Sequence, residues 1–67
     1  MPIVKVIEIL SDSTKSWEEA AKNAVTEASK TVKNIKSVYV QDQSCVVKDG
    51  AVVAFRVNVK ISFGVNT

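Results

Sequence analysis

Histidine is absent from these 67 residues, and that narrows the available chemistry at once. No imidazole can serve as general base, proton shuttle or zinc ligand. The single cysteine, Cys45, can close no intramolecular disulfide, and no basic helix start stands beside it to favour a thiolate. Lys5 and Lys60 have no second group with which to form a nucleophile–base pair. The chain therefore reads as non-catalytic. What remains is a set of side chains that can recognise a ligand without transforming it: Ser37, Tyr39, Gln43 and Arg56. Hydroxyl and amide groups both donate and accept, whereas the guanidinium is a rigid fork of donors. Asp42 adds a hard oxygen ligand of the kind that calcium or magnesium prefers.

The element that positions most of these residues is the stretch Val52 to Val65. Val53, Phe55, Val57, Val59, Ile61, Phe63 and Val65 alternate with Ala54, Arg56, Asn58, Lys60 and Ser62. Strict alternation with β-branched and aromatic residues on one side predicts a strand with one buried face. At about 3.3 Å per residue it would reach roughly 46 Å. A second strand is predicted from Ser37 to Val47, turned back by Lys48-Asp49-Gly50-Ala51. Asp-Gly suits a type I′ turn, whose two central residues both need positive φ. With Asp49 and Gly50 as the loop, Val46 should face Val53, Val40 face Val59 and Val38 face Ile61. The other side should pair Gln43 with Arg56, Gln41 with Asn58, Tyr39 with Lys60 and Ser37 with Ser62. This polar, mostly uncharged face suits a lined cavity or a wet interface. The same register sets Asp42 beside Val57 on the apolar side. A carboxylate there is either wetted where the sheet runs past its cover or gathered with symmetry copies around a cation. Ser37 and Arg56 would stand six residues apart along the sheet, roughly 20 Å. A small ligand can touch both only where two subunits meet.

Upstream, Ile3 to Leu10 is a strand that is apolar on both sides. Ile3, Ile7 and Ile9 point one way, and Val4, Val6 and Leu10 the other. Ser11 to Thr14 reads as a loop. Ser16 and Glu19 then form a capping-box signal for a helix carrying Trp17, Ala20, Ala21, Ala24, Val25, Ala28, Val32 and Ile35 on one stripe. Trp17 is the anchor at its start, and Lys30, Lys33 and Lys36 suit its C-terminal end. Such a helix would span roughly 27 Å, well short of the last strand. One helix can cover neither the whole last strand nor the second side of the first. Both conflicts predict a homo-oligomer, which is also the usual staple for a chain this short without metal or disulfide.

The order strand, helix, strand, strand gives a β-α-β-β unit of the α+β class. A right-handed crossover and the longest strand in the middle give a three-stranded antiparallel sheet of order 1-3-2 around one helix, in a single domain over residues 1–67. Nine basic and seven acidic residues, scattered along the chain, give a net charge of +2 and argue against a nucleic-acid partner. No apolar run is long enough to cross a membrane, and the N-terminus lacks the pattern of a signal peptide. A free thiol without a disulfide suits a reducing, cytoplasmic compartment.

Taken together, the run VKVIEIL, the Asp-Ser-Thr loop, the helix opening SWEEAA, the Lys-Asp-Gly turn and the strand FRVNVKISF resemble the dodecins over essentially the whole chain. The resemblance implies a sheet curled partly around its helix and twelve copies in a hollow shell. Flavin-storing dodecins carry a tryptophan at the start of the second strand and a glutamine early in the third. The matching positions here are Ser37 and Arg56. Serine has no π-face and arginine has no acceptor, so weak or no flavin (riboflavin or FMN) binding is expected. Trp17 lies at the helix start and does not fill that role. The departures resemble the calcium-associated branch of the family. The expectation is a shell that binds or stores a small ligand between subunits; the alternative is a shell that binds a divalent cation or is purely structural.

Overall fold

A computed structural model of the chain describes residues 3–65. Strand β1 runs Ile3–Ser13, helix α1 Trp17–Ala28, β2 Ile35–Lys48 and β3 Ala51–Val65. The sheet order is β1-β3-β2, with β3 antiparallel to both neighbours. The α+β, β-α-β-β architecture is thus as the sequence predicts, and α1 lies against all three strands. The core is small. Ala20, Ala24 and Ala28 of the helix close on Val57, Val59 and Ile61 of β3, with Ile7, Ile9, Trp17, Val25 and Ile35 packed at the margin. Alanine at the contact lets the helix axis approach the sheet closely, so each buried β3 side chain is fully covered.

The helix is shorter than its apolar stripe suggests. It ends at Ala28, not near Ile35, because Ser29 caps it and its hydroxyl donates to the Val25 carbonyl at 2.7 Å. Lys30 and Thr31 then make i→i−3 bonds, and Asn34 takes φ +62°, which ends any helical run. Val32 lies in this turn, Ile35 opens β2 opposite Phe63, and no basic residue occupies the last helical turn. Twelve helical residues reach about 18 Å, whereas the molecule is 50 Å long. The hairpin end is therefore bare, with Val47, Val52 and Val53 exposed. Asp49 at φ +51° and Gly50 at φ +77° form the tight turn read from their sequence.

The N-terminus of α1 uses a variant of the expected cap. Ser16 Oγ accepts from the Glu19 N–H at 3.0 Å, as a capping box requires. The Glu19 carboxylate, however, does not reach back to Ser16. It accepts from the hydroxyl of Ser13, a buried residue at the end of β1 that itself accepts from the Lys15 and Ser16 N–H groups. Ser11 to Ser13 consequently belong to β1 rather than to a loop.

Candidate functional site

The face of the sheet turned away from α1 is built in rows across β2, β3 and β1. Ser37, Ser62 and Val6 form one row; Tyr39, Lys60 and Glu8 the next. Asp42, Asn58 and Leu10 follow, and then Ser44, Arg56 and Asp12. The pairs Ser37–Ser62, Val38–Ile61, Tyr39–Lys60 and Val40–Val59 are those read from the Asp-Gly turn. The expected register also holds beside the turn, at Val47–Val52 and Lys48–Ala51, but the pairs Val46–Val53, Gln43–Arg56 and Gln41–Asn58 do not form. An irregularity between Val40 and Asp42 inserts an extra β2 residue and one between Val46 and Val47 an extra β3 residue, so that between them Val46 faces Ala54, Gln43 faces Val57 and Arg56 faces Ser44. A bulge flips every later side chain to the other side of its strand until a second one restores the phase. Asp42 therefore stands opposite Asn58 on the helix-free face and not beside Val57, and Gln43 is carried to the helix side, away from Arg56. Gln41 lies in the bulge and has no partner in the ladder.

Each remaining candidate has a definite setting. Ser37 shares a hydrogen bond with Ser62. Tyr39 is exposed on the helix-free face. Arg56 grips Asp12 in a two-pronged ion pair, Nε to Oδ1 at 2.7 Å and Nη2 to Oδ2 at 3.0 Å. That hydrogen-bonded guanidinium lowers the Asp12 carboxyl below the ordinary aspartate value, against a smaller opposing effect of burial. The Asp12 carboxylate in turn raises Arg56. The register still separates Ser37 from Arg56 by six positions along β3, from Ser62 to Arg56, so one subunit cannot bring them to one small ligand. Trp17 is bound up in structure: its ring meets Phe55 edge-on at 5.1 Å and its Nε1–H donates to the Ser44 carbonyl at 2.9 Å. Cys45 is exposed.

Two residues of this surface escape a reading of the sequence. Asp12 looks like loop chemistry until β1 is placed against β3, and no turn joins those strands to fix their register. Asn58 is the second. Its Oδ1 is buried and has no hydrogen-bond partner; such an oxygen costs on the order of 1–3 kcal/mol. Its only sequence signal is a polar amide midway along the longest strand. Among the described residues no group of three acidic, cysteine or histidine side chains is placed to hold a metal. No helix of the described residues is long and apolar enough to cross a membrane.

The same surface is strongly apolar toward β1. Val4, Val6 and Leu10 are 55%, 56% and 65% exposed, although β1 also supplies Ile7 and Ile9 to the core. The both-sided apolar pattern of β1 is thus covered on one side only.

Comparison with known proteins places this geometry. The dodecin family model matches residues 3–66. Calcium dodecin of Mycobacterium tuberculosis is 35% identical over 63 residues, covering 94% of this chain and 89% of that protein. The crystal structure of the M. tuberculosis calcium dodecin, described as a calcium-chelating antigen with a novel calcium-binding site, matches with TM-score 0.85 and 33% identity across 96% of this chain and 91% of its own. Dodecin from Streptomyces coelicolor matches with TM-score 0.92 and 27% identity, over 98% and 94% respectively.

Proposed function

Because this chain belongs to the dodecin family, we propose that it is a non-catalytic subunit of a hollow homododecameric shell that binds a small ligand between subunits, with calcium favoured over flavin. The observation that carries this reading is the bare β1 face. Val4, Val6 and Leu10 at more than half exposure form an apolar surface that a second copy of the chain would cover. The uncovered hairpin end with Val47, Val52 and Val53 supports the same reading. A calcium-binding relative at 35% identity supports the choice of ion. The donor chemistry fits, since Asp42 and the unpartnered Asn58 Oδ1 are hard oxygens on one face. Magnesium fits less well, because it demands a near-ideal octahedron and gives up its waters reluctantly. Flavin is disfavoured: Ser37 is hydrogen-bonded to Ser62 and offers no ring, and Arg56 is held by Asp12. Ser37, Tyr39, Gln43 and Arg56 remain the proposed polar lining of intersubunit sites, now with Gln43 serving the helix side. The free thiol fits a cytoplasmic shell.

Native mass spectrometry at low micromolar concentration tests the assembly. The expected species is a dodecamer, and Leu10→Asp, which places a charge in the apolar patch, should shift it toward smaller forms. A stable folded monomer of 7.3 kDa would overturn the proposal.

A further inference from the structure

Residues 30–36 carry Lys30, Lys33 and Lys36 and no acidic side chain. Their expected place at the end of a longer helix is gone, because α1 stops at Ala28 with no basic residue in its last turn. Nor do the last helical carbonyls need them. The Val25 carbonyl accepts from the Ser29 N–H, that of Glu27 from Lys30, and that of Ala28 from Thr31 and Val32. Lys30 closes an ion pair with Glu27 at 2.5 Å. Lys33 and Lys36 form none among the described residues.

Lys33 lines a pocket of about 510 Å³ at the end of the sheet away from the hairpin, a size that suits a small organic ligand. Lys36 passes beside it, its Cε 3.3 Å from where a side chain on Gly64 would begin and crowd it. Lys5 stands directly across the β1–β3 ladder from Phe63, which also lines the pocket. Two further donors belong to its wall. The backbone N–H groups of Lys33 and Asn34 donate to no carbonyl among the described residues. Asn34 takes φ +62°, and successive N–H groups leading into a left-handed residue are the backbone arrangement that cups an anion. Val32, Phe63 and Val65, each partly buried, supply the apolar part of the lining.

We propose that this pocket binds a phosphate monoester carried on an apolar body, with the anion at Lys33 and the turn and the body against Phe63. A phosphate offers three strong acceptor oxygens, and the Lys33 ammonium with two backbone N–H groups offers three donors. No carboxylate among the described residues lines the pocket to compete with an incoming anion. Lys5 and Lys36 raise the positive potential around it. The site lies within one chain and uses none of the residues proposed between subunits, so it stands whether or not the shell closes.

Calorimetric titration of the purified protein with phenyl phosphate, inorganic phosphate, phenol and benzoate tests this, with native mass spectrometry on the same samples. The expected result is one phenyl phosphate per chain, bound more tightly than inorganic phosphate or phenol and weakened by added salt. Lys33→Gln should lower that affinity about tenfold, the scale of one charge-assisted hydrogen bond. Phe63→Leu should bring phenyl phosphate down to the affinity of inorganic phosphate. Lys33 is exposed, so its variant tests the site even where Phe63→Leu disturbs the core. Lys22→Gln, an equal change of charge at an exposed position of α1, should leave binding unchanged. Affinity that falls equally in Lys33→Gln and Lys22→Gln, or in neither, overturns the site, as does wild type that binds no phenyl phosphate. Benzoate bound as tightly as phenyl phosphate overturns the assignment to phosphate. A Lys33→Gln variant that changes the assembled mass, while wild type ignores every probe, marks this end as a contact between copies and overturns the proposal.

Discussion

Trp17 offers the sharpest test of how this small core is held. Its indole does two separable things: the ring packs edge-on against Phe55 at 5.1 Å, and Nε1–H bonds the Ser44 carbonyl at 2.9 Å. Trp17→Phe keeps an aromatic ring at the helix start and removes the bond. The Ser44 carbonyl lies at an exposed position, so water can replace the lost donor and the loss should be about 0.5–1.5 kcal/mol. Trp17→Ala also removes the ring, worth about 0.5–1.5 kcal/mol as an aromatic pair beyond its burial. It leaves a void over Phe55, and because Trp17 is only partly buried the total should be near 3 kcal/mol, the lower end for such truncations. The assay is denaturant unfolding followed by far-ultraviolet circular dichroism, because Trp17 is the single tryptophan and either variant removes the fluorescent reporter. Protomer concentration must be held constant, since assembly contributes to apparent stability. If Phe costs as much as Ala, the hydrogen bond rather than the ring is the anchor and the packing argument fails. If Ala costs less than about 1 kcal/mol, Trp17 is not a core residue at all.

Two further outcomes follow from the polar face. Titration of wild type with riboflavin or its phosphate should show no nanomolar quenching of flavin fluorescence. The double variant Ser37→Trp, Arg56→Gln should gain affinity by up to about a hundredfold, the scale of one stacked ring; nanomolar binding by wild type would show that other residues supply the pocket. The Asp12–Arg56 pair should give stability a definite pH dependence. Because the folded-state carboxyl of Asp12 is lowered, its stabilisation is present above the unfolded value, about 3.9, and disappears as pH falls through the folded one. Asp12→Asn should thus be less stable than wild type at neutral pH and equal to it in strong acid. An equal gap at both pH values would mean that the ion pair is not the cause.

Much of this protein is decided locally, and that part is legible in the sequence. The alternation from Val52 to Val65 fixes β3 and names Val57, Val59 and Ile61 as its buried side. Asp49-Gly50 fixes the hairpin because few other pairs reach positive φ twice in succession. Trp17 and the alanines at helical spacing fix the face that α1 buries. The two apolar sides of β1 announce a surface that one subunit leaves open. The tertiary structure decides what depends on two elements meeting. The helix stops at Ala28 because Asn34 must turn the chain so that Ile35 can pair with Phe63; the apolar stripe, which continues through Val32 and Ile35, cannot show that demand. Asp12 finds Arg56 only once β1 lies against β3, and no turn joins those strands to announce the register. The bulge after Val40 carries no residue signature, since Val40, Gln41 and Asp42 would all fit a regular strand. It belongs to the pairing of β2 with β3 rather than to any one residue, and one inserted residue is enough to exchange faces. That single slip moves Gln43 away from Arg56 and brings Asp42 opposite Asn58.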